Sequence, residues 1–197
     1  MKRFLILCLL VLIIPVSLFA TYYEQGDQVF SFRGGVNFPG FIFFPNDTSR
    51  SQTFFNTHLK LGGYASLSYQ GFTSRETALG GEIAYSFNYA QDMNLFTIVP
   101  LTMKFSYYPI QSGKFDLILS ANVGGAFLRY HENKFFSPYT SFTIQPTFFI
   151  TESWGIGLET GFMGVCEFYG KNSTYNKVLK NAFVGMLPLI ITVSYRH

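Results

Sequence analysis

Residues Phe183–His197 read FVGMLPLIITVSYRH. From Leu187 onward every second residue is apolar or aromatic: Leu187, Leu189, Ile191, Val193 and Tyr195, with Pro188, Thr192, Ser194 and Arg196 among the residues between. Successive side chains of a β-strand point to opposite faces, so this segment reads as a strand with one oily face. A strand of a soluble sandwich could carry the same pattern. What separates the two cases is how often, and at what length, the rest of the chain repeats it.

Seven further segments do so, at about 27–38, 57–69, 78–90, 97–108, 115–128, 139–150 and 155–168. On the first, Phe30, Phe32, Val36 and Phe38 oppose Ser31, Arg33 and Asn37. On the fourth, Val99, Leu101, Met103, Phe105 and Tyr107 oppose Thr102, Lys104 and Ser106. The second segment sets Leu59, Leu61, Ala65, Leu67 and Tyr69 outward against His58, Lys60, Tyr64, Ser66 and Ser68. Segments of this length suit tilted membrane-crossing strands, which need roughly 9–11 residues in the hydrocarbon.

Composition agrees. Of 197 residues, 19% are aromatic and 13% charged, against roughly 25% charged in an ordinary soluble domain. Mean hydropathy is +0.21. So few charges would poorly cover a water-facing surface. Residues 1–20 read as a secretory signal peptide: basic Lys2 and Arg3, the apolar run Phe4–Ile14, and a cleavage region ending at Ala20. Residues 21–197 then form one barrel domain with the single cysteine Cys166, which excludes an internal disulfide, and with no Cys/His pattern for a metal and no cofactor motif. No basic patch suggests nucleic acid. An exported, apolar-rich chain lacking a helix-length apolar run leaves one way to cross hydrocarbon with every backbone polar group paired. The expected fold is all-β: an eight-stranded antiparallel up-and-down transmembrane β-barrel.

With both chain ends on the periplasmic side, the inner turns fall near Gly71–Thr77, Pro109–Lys114 and Thr151–Trp154. The outer loops are Pro39–Asn56, Gln91–Phe96, Arg129–Pro138 and Gly170–Ala182. Centring the second outer loop on Met93 sets Glu82 opposite Lys104, with Ile83–Met103 and Phe87–Val99 as outward pairs. Tyr69, Tyr89, Tyr107, Tyr108, Trp154 and Tyr195 fall near strand ends, where interfacial aromatics belong.

Alternation turns Arg33, Lys60, Glu82, Lys104, Asp116, Glu159 and Glu167 into the lumen. An eight-stranded interior is only wide enough for side chains, so these charges must pair. They form either a salt-bridged plug that only stabilises the barrel or a gate in a narrow conduit. Toward the outer end Ala126, Leu128, Met163, Val165, Val184 and Met186 also turn inward, with Ile190 continuing the row. A barrel lumen is normally polar. Either one sector is an apolar vestibule open to the outside, or a one-residue bulge flips the last two strands. Phe41, Phe43, Phe44, Phe54 and Phe55, with Ile42, are placed at the mouth on the first outer loop, or else extend the first two strands.

The leader, the eight amphipathic strands and the terminal Val193-Ser194-Tyr195-Arg196-His197 resemble the small outer-membrane barrels of the OmpW, OmpX and OmpA-transmembrane type. The likeness departs at His197, where such barrels usually end in Phe. It implies the outer membrane of a diderm bacterium, outer-membrane lipid as surroundings and the barrel-assembly machinery as a folding partner. Within the group the OmpW type implies passage of a small apolar solute through a hydrophobic channel with sideways release. The OmpX type implies outer loops that bind a host surface ligand or partner. Lipid-modifying barrels need a His, a Ser and a carboxylate in hydrogen-bond reach. The only histidines here are His58, to which no acid partner is assigned, His131, followed by Glu132 in a solvated loop, and the terminal His197, so no catalytic residue is expected.

Overall fold

The computed structural model describes residues 23–45, 51–53, 57, 59–90, 94–130, 133–167 and 182–197, with the side chains of Asn133 and Glu167 left aside. Eight strands run β1 (Gln28–Phe43), β2 (Gly62–Phe72), β3 (Thr77–Tyr89), β4 (Leu95–Ser112), β5 (Phe115–Tyr130), β6 (Asn133–Phe149), β7 (Trp154–Glu167) and β8 (Ala182–Arg196). Each pairs antiparallel with its sequence neighbour, and β1 pairs with β8 to close the barrel. Closure removes the sheet edges that hydrocarbon does not tolerate.

The barrel is inside-out relative to a soluble domain. Met103 is 64% exposed while Lys104 beside it is 2% exposed. Leu101, Val123, Phe127, Phe142 and Ile191 likewise face out, and Ser31, Glu82, Ser106, Thr147 and Thr192 are buried. Only a lipid surround makes that alternation favourable, since in water it would expose the oily face and bury the polar one.

Short connections at 73–76, 113–114 and 150–153 mark one end, shared with both chain ends. Gln28 and His197 exchange two backbone hydrogen bonds of 2.9 Å there. The other end carries the long connections 44–61 and 168–181 and is therefore the extracellular one. The expected long loop Arg129–Pro138 is instead strand: Arg129 pairs with Lys134 and Tyr130 with Asn133, leaving residues 131–132 between β5 and β6. The aromatic residues Tyr130, Phe135 and Phe136 lie on the ladder where the polar residues around them suggested a loop.

The register between β3 and β4 differs by two positions from expectation. Glu82 faces Thr102, and Gly80 faces Lys104; the outward pairs are Ile83–Leu101 and Phe87–Thr97. Ala90 N–H donates to the Asn94 carbonyl at 2.8 Å, which moves the midpoint of that connection one residue before Met93. Two irregularities matter for the interior. One lies in β1 between Pro39 and Phe41 and the other in β4 between Tyr107 and Ile110. The second leaves Pro109 and Ile110 both exposed; Tyr108 before them, 2% exposed, points inward by the same alternation that buries Lys104 and Ser106, so it leaves the interfacial girdle where Tyr107 and Trp154 remain exposed.

Candidate functional site: a three-tiered interior

Strand alternation stacks the inward side chains in three tiers. At the periplasmic end Tyr23, Val29, Phe72, Ala78, Tyr108 and Ile118 make an aromatic floor. Tyr23 precedes β1 and folds back under the barrel. Its ring stacks on Phe72 at 3.9 Å, and its hydroxyl donates to Asp116 Oδ2 at 2.7 Å. Burial, with the Asp116 carboxylate beside it, pushes the Tyr23 phenol well above its usual range, so it remains the donor. The Arg196 guanidinium sits 3.9 Å from the centre of the Phe149 ring and 5.7 Å from that of Tyr23, within cation–π range. Its Nε donates to the Glu152 carbonyl. Asp116 thus belongs to the floor, and sequence alternation, which begins only with β1, gave no sign of Tyr23.

Above the floor lies a charged belt. Arg33 Nη1 meets Glu82 Oε2 at 2.8 Å, Arg33 Nε lies 3.5 Å from Glu159 Oε2, and Lys104 Nζ lies 3.7 Å from Glu82 Oε2. Tyr64 and Asn122 donate to the same Glu82 carboxylate at 2.5 and 2.8 Å, and Arg33 Nη2 donates to Ser68 at 2.6 Å. Two cations and two anions cancel, which lets this group be buried without a net charge. Lys60 does not join it. The residue is exposed and precedes β2, whose regular alternation starts at Gly62, while Leu59 packs inward. Glu167 and His58 lie outside the described side chains.

The outer tier is apolar. Ala126, Leu128, Met163, Val165, Val184 and Met186 all point inward and are buried, joined by Ile98, Phe96, Tyr139 and Ile190. The bulge that would have flipped β7 and β8 is absent from their ladder, which keeps one register from Trp154↔Tyr195 to Glu167↔Ala182. The tier is filled rather than open: Ala126, Met186 and Ile190 are 0% exposed. An Asn37 amide bounds it from below, donating to Ser86 at 2.9 Å, Asn88 at 3.0 Å and the Met186 sulfur at 3.1 Å.

The mouth phenylalanines are placed differently from expectation. Phe41 and Phe43 lie on β1, beyond its bulge, and pack on the wall: Phe41 stacks on Phe162 at 5.9 Å and Phe43 contacts Phe183 at 6.4 Å. Ile42 between them packs on the apolar tier. Phe44 is half-buried, its N–H donating to Ser51 at 3.1 Å. Phe54 and Phe55 lie outside the described residues.

A protein-family model matches residues 15–195, nearly the whole chain. No curated protein matches. Among solved structures, neisserial surface protein A aligns with a TM-score of 0.54 at 11% identity, covering 86% of this chain and 97% of that one. The attachment invasion locus protein Ail of Yersinia pestis, in complex with the heparin analogue sucrose octasulfate, aligns at 0.50 and 11% identity, covering 88% and 100%. These likenesses match the closed eight-stranded wall with its oily exterior. The chain has the fold of the small eight-stranded outer-membrane β-barrels. As an outer-membrane barrel it presents its long connections to the outside and its aromatic floor to the periplasm.

Proposed function

We propose that this outer-membrane barrel takes up small apolar solutes into its outer tier and releases them sideways into the membrane. The apolar outer tier itself carries the reading. A guest entering there meets Leu128, Val165 and Met186, and below them a neutral but charged belt that an apolar molecule does not cross. Met163 and Met186 are unbranched and can repack around a guest. The wall supports a sideways route. Pairing of β1 with β2 ends at Asn37↔Gly62, whereas β1 continues to Phe43 against β8. Beyond that point the isolated Ile42↔Gln52 bridge is the pairing that remains on the β2 side among the described residues.

The test is uptake of a fluorescent apolar solute into vesicles carrying the barrel. Val165→Trp overfills the tier, leaving no room for repacking around a guest, and is expected to cut uptake severalfold while the protein keeps its folded mobility on gels. Unchanged uptake overturns the proposal. A second reading, a barrel that binds a host surface ligand or partner through its outer loops, is favoured by the completeness of the interior packing. In that case exchanging residues 168–181 abolishes attachment, and Val165→Trp leaves attachment intact.

A further inference from the structure

Arg129 and Lys134 sit directly across from each other at the extracellular ends of β5 and β6. Like charges in that relation repel. Both are exposed, and among the described residues neither side chain makes an ion pair or a hydrogen bond. Both point to the outside of the wall, in phase with Phe127 and Phe136, which are themselves cross-strand partners with rings 5.1 Å apart. Two residues of strand separate the aromatic pair from the charged pair, about 7 Å. Tyr85 and Val99 on the neighbouring strands complete an apolar groove that opens beneath the two cations.

We propose that this groove binds a phosphorylated glycolipid of the outer leaflet, with acyl chains against Phe127, Phe136, Tyr85 and Val99 and a phosphate between Arg129 and Lys134. Charge complementarity selects an anion, because an anion between the two side chains removes their repulsion and accepts charge-assisted hydrogen bonds from both. The aromatic surface directly below selects an amphiphile over a free ion. The location at the long-loop end selects the outer leaflet.

The test uses the full barrel in a zwitterionic detergent, titrated with bisphosphorylated lipid A, phosphatidylglycerol or phosphatidylcholine, with bound lipid counted by native mass spectrometry. Wild-type protein is expected to retain lipid A in preference to both phospholipids. R129Q/K134Q is expected to weaken lipid A binding roughly thirtyfold, from the loss of two interfacial cations. R75Q/K114Q removes the same charge from exposed positions at the periplasmic end and is expected to bind as the wild type does. Undiminished binding by R129Q/K134Q, an equal loss in R75Q/K114Q, or phosphatidylglycerol held as tightly as lipid A overturns the proposal.

Discussion

Arg33 and Glu82, on neighbouring-but-one strands, close a 2.8 Å ion pair with side chains 1% and 2% exposed. Glu82 is the shared acceptor of the belt, since Lys104, Tyr64 and Asn122 converge on it as well. Glu82→Gln leaves two buried cations facing Glu159 alone. The expected loss is about 3–5 kcal/mol of stability, read from urea unfolding in lipid vesicles. Adding Arg33→Met restores charge balance between Lys104 and Glu159, so the double variant is expected to be more stable than Glu82→Gln alone. Simple addition of the two single losses would show that the belt is not one coupled network.

The floor predicts a graded series at Tyr23. Tyr23→Phe keeps the ring on Phe72 but removes the donor to Asp116, costing about 1–3 kcal/mol. Tyr23→Ala loses the stack as well and should cost more. It should also release the segment behind it, where the Gly26 N–H donates to the Phe72 carbonyl at 3.0 Å. Hydrogen exchange at Gly26 and at the Phe72 amide, which is bonded to Asp27, is expected to quicken in Tyr23→Ala and to change little in Tyr23→Phe.

Alternation made most of this interior legible. A period of two specifies a face without specifying a partner, so Arg33, Glu82, Lys104, Glu159, Met163 and Met186 could be assigned to the inside residue by residue. Partners depend on turn geometry, and a shift of one residue in the midpoint of the β3–β4 connection put Thr102, not Lys104, opposite Glu82. The ion pair survives because a lysine is long enough to reach diagonally, at 3.7 Å. Bulges are not written in the pattern, which is why Phe41 was misplaced, whereas Tyr108 follows the alternation inward and only its nearness to a strand end suggested the girdle. Tyr23 was invisible for another reason: it lies on no strand, and its contacts are with residues far along the chain.

Adjacent glycines in β1 offer a test of how tightly the barrel closes. A Cβ on Gly35 would lie 2.2 Å from the Leu189 carbonyl oxygen and 2.7 Å from the Ile190 Cα, both backbone atoms of β8. A Cβ on Gly34 would meet nothing within 4 Å. Gly35→Ala must therefore push β1 away from β8 at the closing seam and is expected to cost about 1–3 kcal/mol or more, with lower refolding yield. Gly34→Ala should stay within about 0.5 kcal/mol of the wild type. Equal behaviour of the two variants in a thermal gel-shift series would contradict the closing register.

Met186 links the packing of the outer tier to the proposed uptake. It is 0% exposed, and its sulfur lies 3.1 Å from the Asn37 amide. Met186→Ala leaves a cavity in an apolar environment, at a cost of about 2–5 kcal/mol, measured by urea unfolding. The same cavity enlarges the space a solute would occupy, so uptake is expected to rise as stability falls. Val165→Trp acts on the same space by overfilling it, and lowers uptake. The opposed effects on transport distinguish a chamber from a core, because in a core that serves only stability both substitutions are harmful and neither alters solute flux. Loss of stability in Met186→Ala without a gain in uptake would favour the partner-binding reading, leaving the outer tier as packing that holds the strands beneath the extracellular loops.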